Sequence, residues 1–220
     1  ESVSALFARE GLKVSAHDDQ SVLPPGSVLS KSHTPLKVFT PFRRAWLAEF
    51  QRRGALRPMP APAKQRPTGI KPSPVPARIP GFASKIDQAF WPAGESHAAE
   101  RLKTFVSSRI TEYKDARNIP GTEGTSTLSP YLAIGAVSPR QCLAAAAAAN
   151  PVGARSSPLT AGNASINTWI TELIWREFYI HITAAFPRIS MGRAFKPQTD
   201  RLPWSYDKRA FDRWARGRTG

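Results

Sequence analysis

The stretch WITELIWREFY, residues 169–179, places two tryptophans, two carboxylates, an arginine and a tyrosine on about three helical turns. At about 100° per residue, Ile166, Ile170, Leu173, Ile174 and Phe178 form one apolar stripe, which suits a helix packed on a core. Trp169, Glu172, Arg176 and Tyr179 fall on a second stripe, with Trp175 flanking it. Indole, carboxylate and guanidinium on one face could line a pocket for a flat ligand with polar edges. The plainer reading is an ordinary core helix with an internal Glu172–Arg176 pair one turn apart. This segment alone leaves both open.

The whole chain sets bounds on that choice. Its 220 residues suffice for one large or two small domains, and 41% apolar residues can support a core. The net charge of +15 and pI near 10.8 favour a polyanionic partner, nucleic acid before membrane. Cys142 is the only cysteine, so neither an intramolecular disulfide framework nor a cysteine-based zinc cluster is available. His17, His33, His97 and His181 are scattered, and no metal site is expected. No apolar run approaches membrane-spanning length, and no signal-peptide pattern opens the chain. A soluble intracellular setting is expected. The opening at Glu1 without methionine, and the stop just after a helical pattern, suggest a fragment.

Residues 1–53 read as α/β. Val3–Arg9 is helical, Leu12–Ala16 alternates like a strand, and Lys37–Thr40 is a short extended run. Thr40 and Pro41 would then cap and open a helix through Phe42, Ala45, Trp46 and Phe50 to about Arg53. Residues 54–92 carry Pro58, Pro60, Pro62, Pro67, Pro72, Pro74, Pro76, Pro80 and Pro92. That density forbids continuous helix or sheet, so a connector wrapped over a surface is expected. From residue 94 the pattern is helical: 95–115, 128–134, a helix opened by Ser138 and Pro139, 163–186, and 211–216. Between the first two lies GTEGTSTLSPYL, residues 121–132, with Thr122, Thr125, Ser126, Thr127 and Ser129. Hydroxyls and free N–H groups at a helix start can hold an anion without lysine. Simple N-capping by Thr127 or Ser126 would explain one hydroxyl rather than five.

Three elements in order, Lys37–Phe42, Gly124–Leu132 followed by Gly135–Arg140, and Trp169–Tyr179, resemble the DNA photolyase/cryptochrome family. The nearest likeness is to its class I cyclobutane pyrimidine dimer photolyases. The resemblance runs over nearly the whole chain apart from the connector. It implies a mixed fold: the end of an N-terminal α/β, Rossmann-like antenna domain over 1–53, the connector over 54–92, and the first half of an all-α FAD-binding domain over 93–220. The family's later motifs would lie beyond Gly220, so the isolated fragment is expected to be inactive and to hold FAD weakly.

By the same resemblance, Tyr113, Thr125, Ser126, Thr127, Leu128, Ser129 and Trp169 match positions that hold FAD, and Arg176 would face flavin phosphate or substrate. Glu172 and Trp175 match the carboxylate and indole that receive a flipped-out dimer. Arg117 matches a DNA-contacting arginine, and Tyr179 lies in the same DNA-facing block. Trp204 matches the outermost tryptophan of an electron relay. The implied activity is that of a deoxyribodipyrimidine photo-lyase: light-driven repair of ultraviolet-damaged DNA, by a cytoplasmic, monomeric flavoprotein. A cryptochrome-type blue-light receptor with the same fold and no repair is the alternative. The (6-4) photolyases and a non-catalytic nucleic-acid-binding module are further rivals. A folate antenna is not expected. Val14–His17 lacks the family's glutamate, and Ser190–Arg193 lacks its lysine.

Overall fold

The computed structural model describes residues 3–219 apart from 55–57, 59, 61, 65, 68, 77, 78, 83, 84, 154 and 155. The helices among them are α1 (Val3–Arg9), α2 (Phe39–Arg53), α3 (Glu95–Ser108), α4 (Tyr113–Ala116), α5 (Ser129–Ala133), α6 (Pro139–Ala149), α7 (Ala164–Ala185) and α8 (Lys208–Ala215). Single 3-10 turns stand at Ile110–Glu112, Pro187–Met191 and Pro197–Arg201.

The helix starts follow local chemistry. Asn163 opens α7 by accepting from the N–H groups of Ser165 at 2.8 Å and Ile166 at 3.2 Å. Ser138 caps α6 as expected, with Pro139 first in the helix. Gln141 completes a capping box by accepting from the Ser138 N–H at 2.8 Å. At α2 the expectation needs correction. The helix begins at Phe39 after Val38, so Thr40 does not cap it and Pro41 is third rather than first. The first four N–H groups of a helix have no acceptor inside it, so proline there forfeits no bond.

Two other expectations are corrected. Among the described residues there is no strand, only an isolated bridge between Leu29 and Pro35. Leu12–Ala16 has no regular structure and is exposed, with no neighbouring strand among the described residues to take up its main-chain groups. The helix read over 95–115 breaks at Arg109, whose φ of −132° leaves the helical region. The break turns the chain so that Phe105 and Tyr113 meet edge-on, with centroids 5.9 Å apart. The connector reading falls partly on undescribed residues. The described ones from Pro58 to Phe90 are exposed and carry neither helix nor strand.

α7 is the axis of the molecule. It packs against α2, α4, α6 and the 3-10 turns at 110–112 and 187–191. Ile166, Ile170, Leu173, Ile174 and Phe178 are buried, as the apolar stripe requires. Each such side chain contributes about 1.5–3 kcal/mol by leaving water. Cys142 is fully buried on α6, and burial pushes its thiol up to about 12, so it stays protonated.

A segment read only as a loop turns out to be part of the core. Ser21, Val22, Leu23 and Val28 are buried against α7 and α2. Three donors converge on the buried Glu177 carboxylate. These are the Trp46 indole N–H at 2.6 Å, the Leu23 N–H at 3.3 Å and the Val22 N–H. Burial pushes this carboxyl upward, while those three bonds and the Arg176 charge pull it back. Arg140 adds a bond from α6 to the Val22 carbonyl at 2.6 Å. One turn further along α7, His181 Nδ1 accepts from the Gly26 N–H at 3.3 Å. That bond needs Nδ1 unprotonated.

Burial holds the His181 imidazole below its ordinary value of 6.5, against a weaker upward pull from the Leu23 main chain. The unfolded chain therefore binds the proton more readily. The His181 contribution is complete above the unfolded value and is lost as pH falls through the lower folded one. Acidification below about pH 6 should loosen the 20–28 segment before α7 itself melts, and His181→Gln should remove that step. Amide exchange at Gly26 against pH would check this, since its N–H is the one bonded to His181; Gly26 protection whose pH dependence is the same in His181→Gln as in the unsubstituted protein would refute it.

Candidate functional site

The polar stripe of α7 does not pair with itself. The Glu172–Arg176 pair expected for a plain core helix is absent. Glu172 instead accepts from Arg117 of the α4 end at 2.6 Å. The Arg117 guanidinium lies over the Tyr113 ring, 5.6 Å from its centroid. Burial, and the nearby Glu172 charge, push the Tyr113 phenol upward. Tyr113 meets Phe105, which meets Trp169 with centroids 5.1 Å apart. The Trp169 indole N–H in turn reaches Ser126 Oγ at 3.4 Å. Five of the residues singled out from the sequence, Tyr113, Arg117, Ser126, Trp169 and Glu172, thus form one continuous patch. They come from three separate segments.

One turn on, Trp175 is half-buried. Phe39 covers one of its faces, with centroids 3.5 Å apart and planes within 7°. Tyr179, 60% exposed, stacks beside it at 5.8 Å. Phe39 was read from the sequence only as part of an extended run. Its role as the backing ring depends on α2 crossing α7, which local pattern does not reveal. Arg176 diverges from the patch: it donates to the carbonyls of Leu132 at 3.2 Å and Gln20. Trp204 stands apart as well. It is 69% exposed and joins no ring contact among the described residues.

The hydroxyl loop is built without side-chain capping. α5 follows Leu128, and neither Ser126 nor Thr127 caps it. Thr122 braces the loop on the carbonyls of Ala116 and Ile119, at 3.3 Å and 3.0 Å. Leu128 is buried, while Thr125 and Ser129 are exposed. Thr127 adopts a left-handed φ of 50°, and Arg101 of α3 donates to its hydroxyl. Gly124 is required for a different reason: a Cβ there would lie 2.2 Å from the Ala116 carbonyl oxygen. Gly124→Ala should therefore displace the loop and destabilise the protein by about 1–3 kcal/mol. A thermal melt within about 1 °C of the unsubstituted protein would contradict this.

The exposed hydroxyls of Thr125 and Ser129 suit an anion, whereas the Trp169 and Tyr113 rings beside them are buried, at 3% and 8% exposure, against Phe105. The hydroxyls fit the phosphate part of a flavin nucleotide, and the buried rings form the packed wall behind them. Further along the helix lie the Glu172 carboxylate and the Trp175 indole, a polar and an aromatic contact for a flat group.

Comparison with known proteins gives this arrangement a class. Residues 1–64 match the family model described as DNA photolyase, and residues 169–220 match the FAD binding domain of DNA photolyase. The chain is 39% identical over 224 residues to the deoxyribodipyrimidine photo-lyase of Vibrio cholerae, covering 98% of this chain and 44% of that protein. It is 38% identical over 204 residues to the enzyme of that name from Escherichia coli, covering 92% of this chain and 41% of the relative. A crystal structure of a class III photolyase from Agrobacterium tumefaciens shares the fold at a TM-score of 0.63 and 22% identity. It covers 97% of this chain and 43% of the other. The chain belongs to the DNA photolyase family. It spans less than half the length of the curated relatives it matches.

Proposed function

We propose that the protein carrying this sequence is a deoxyribodipyrimidine photo-lyase that repairs cyclobutane pyrimidine dimers in DNA under light, with FAD as cofactor. The observation that carries this reading is the shared face of α7. Trp169 joins the hydroxyl loop there, and Glu172 and Trp175 follow within two turns. A dimer inside a duplex cannot reach a buried flavin, so it must be extruded, which is least costly for a damaged pair. Trp175, backed by Phe39, offers the extruded bases an aromatic wall, and Glu172 accepts from their polar edges. When bound, reduced FAD supplies a light-driven electron that splits the dimer. Tyr113, Thr125, Ser126, Thr127, Leu128, Ser129 and Trp169 are the residues proposed to hold FAD. Arg117, Tyr179 and Arg176 are proposed to border the DNA. Arg176 would act from behind the site, because its guanidinium already braces Gln20 and Leu132. Trp204 is proposed as an electron relay to the surface.

The division into an antenna-domain end over 1–53 with a Rossmann-like parent, a connector over 54–92 and the first half of the flavin domain over 93–220 is part of the same proposal. Its support is the placement of the two family matches at either end. No helix among the described residues is long and apolar enough to cross a membrane. A cytoplasmic monomer is proposed, and the net charge of +15 suits the DNA backbone. The deciding experiment is repair of a dimer-containing oligonucleotide by the native protein, in light and in darkness. Light-dependent loss of dimers is expected. Flavin binding without any repair would favour a cryptochrome-type receptor instead.

A further inference from the structure

The hydroxyl loop lacks positive charge of its own. From Asn118 to Gly135 the sequence has no lysine or arginine, and it has one glutamate, Glu123. Any dianionic group held there must draw its counter-charge from another segment. Four arginines lie at the loop, the patch or the helix that follows, and two of them are ion-paired. Arg109 is paired with Glu123 at 3.1 Å. Arg117 is paired with Glu172 at 2.6 Å. Arg176 is committed to two carbonyls and feels the Glu177 charge beside it. The fourth is Arg101, which forms no ion pair among the described residues.

Arg101 is held for a purpose other than solvation. It is half-buried, and its guanidinium lies over three rings, 5.7 Å from Phe90, 5.3 Å from Trp91 and 5.7 Å from Tyr131. It donates to the Phe90 carbonyl at 2.6 Å and to the Thr127 hydroxyl. Of its five N–H donors these bonds use two. A half-buried cation fixed at the loop without a carboxylate is what a phosphate group would complete. It also steadies Thr127 in its left-handed conformation, which a non-glycine residue adopts only under constraint.

We propose that Arg101 belongs to the cofactor site as the cation that meets the phosphate groups of FAD at the hydroxyl loop. This rests on the FAD reading above. It adds a residue from α3, outside both family-model matches, to those proposed from the sequence.

The test compares FAD with riboflavin, which has the ring but no phosphate, on the flavin-stripped native protein. Binding is read by quenching of flavin fluorescence at several salt concentrations. Arg101→Gln should weaken FAD roughly ten- to a hundredfold and flatten its salt dependence, while riboflavin changes by less than about twofold. Arg101→Lys, which keeps the charge, should retain most of the FAD affinity and the salt slope. Equal losses for FAD and riboflavin, or an unchanged salt slope in Arg101→Gln, would make Arg101 a brace of the fold and overturn the proposal. FAD binding that is the same with and without Arg101 would overturn it too, leaving the FAD reading intact. Failure of the unsubstituted protein to bind FAD at all would remove that reading and this proposal with it.

Discussion

Glu177→Ala is expected to destabilise the protein by about 3–5 kcal/mol, the range for removing one partner from a buried charged network. The Trp46 indole and the main-chain N–H groups of Val22 and Leu23 would all lose their acceptor inside the core. Water could reach them only by opening the packing, because Val22, Leu23 and Trp46 are almost wholly buried. Relief from burying a charge offsets part of the cost, which keeps the estimate at that range rather than higher. Glu177→Gln should not be benign. Its amide offers one accepting oxygen where three donors converge, and its NH2 group would face donors rather than acceptors. Equilibrium unfolding in urea would measure both variants. A loss under about 1 kcal/mol for the alanine variant would show that the segment is held by its apolar contacts alone. Limited proteolysis supplies a local readout: new cleavage within residues 20–28 should appear before α7 is attacked.

Trp175→Ala should weaken binding of dimer-containing duplex by about ten- to a hundredfold, the range for losing base stacking on one aromatic ring. On the proposed function, affinity for undamaged duplex should change little, because such binding would come from phosphate contacts rather than from the indole. Trp175→Phe should recover part of the difference. Phe39→Ala keeps the indole but removes the ring stacked on it, and a smaller loss is expected as Trp175 gains freedom to turn. Anisotropy titrations with matched damaged and undamaged duplexes would separate the cases. If both affinities fell together in Trp175→Ala, the indole would be a packing element of the α2–α7 contact and not a substrate wall.

What the sequence made legible was local or periodic. The apolar stripe of α7 and the Ser138–Pro139 start of α6 depend on neighbours within a few positions, and both appear where expected. The patch from Ser126 to Glu172 was legible only as a set, through motif order. Its contacts span 43 residues in one case and 55 in the other. Glu177 escaped notice because its partners Val22 and Leu23 are 155 and 154 positions away and are main-chain groups, which leave no side-chain signature. Phe39 and Arg101 were hidden for a related reason: their neighbours are fixed by how helices cross. The strand reading of Leu12–Ala16 failed because alternation marks a face and does not supply a neighbouring strand. The Glu172–Arg176 expectation failed because each side chain had a better partner outside the helix.

The anchorage of residues 20–28 has a consequence for register. Glu177 grips Val22 and Leu23 by amide protons that almost any residue provides, so those positions could change side chain and still be held. Pro24 and Pro25 follow at once and have no such proton. If the segment slid by one place, bringing Leu23 and Pro24 opposite Glu177, one of the two main-chain bonds could not form. The paired prolines therefore act as a stop. They bar a slide along α7 in that one direction, and the stop works through a donor that is missing rather than a contact that is made.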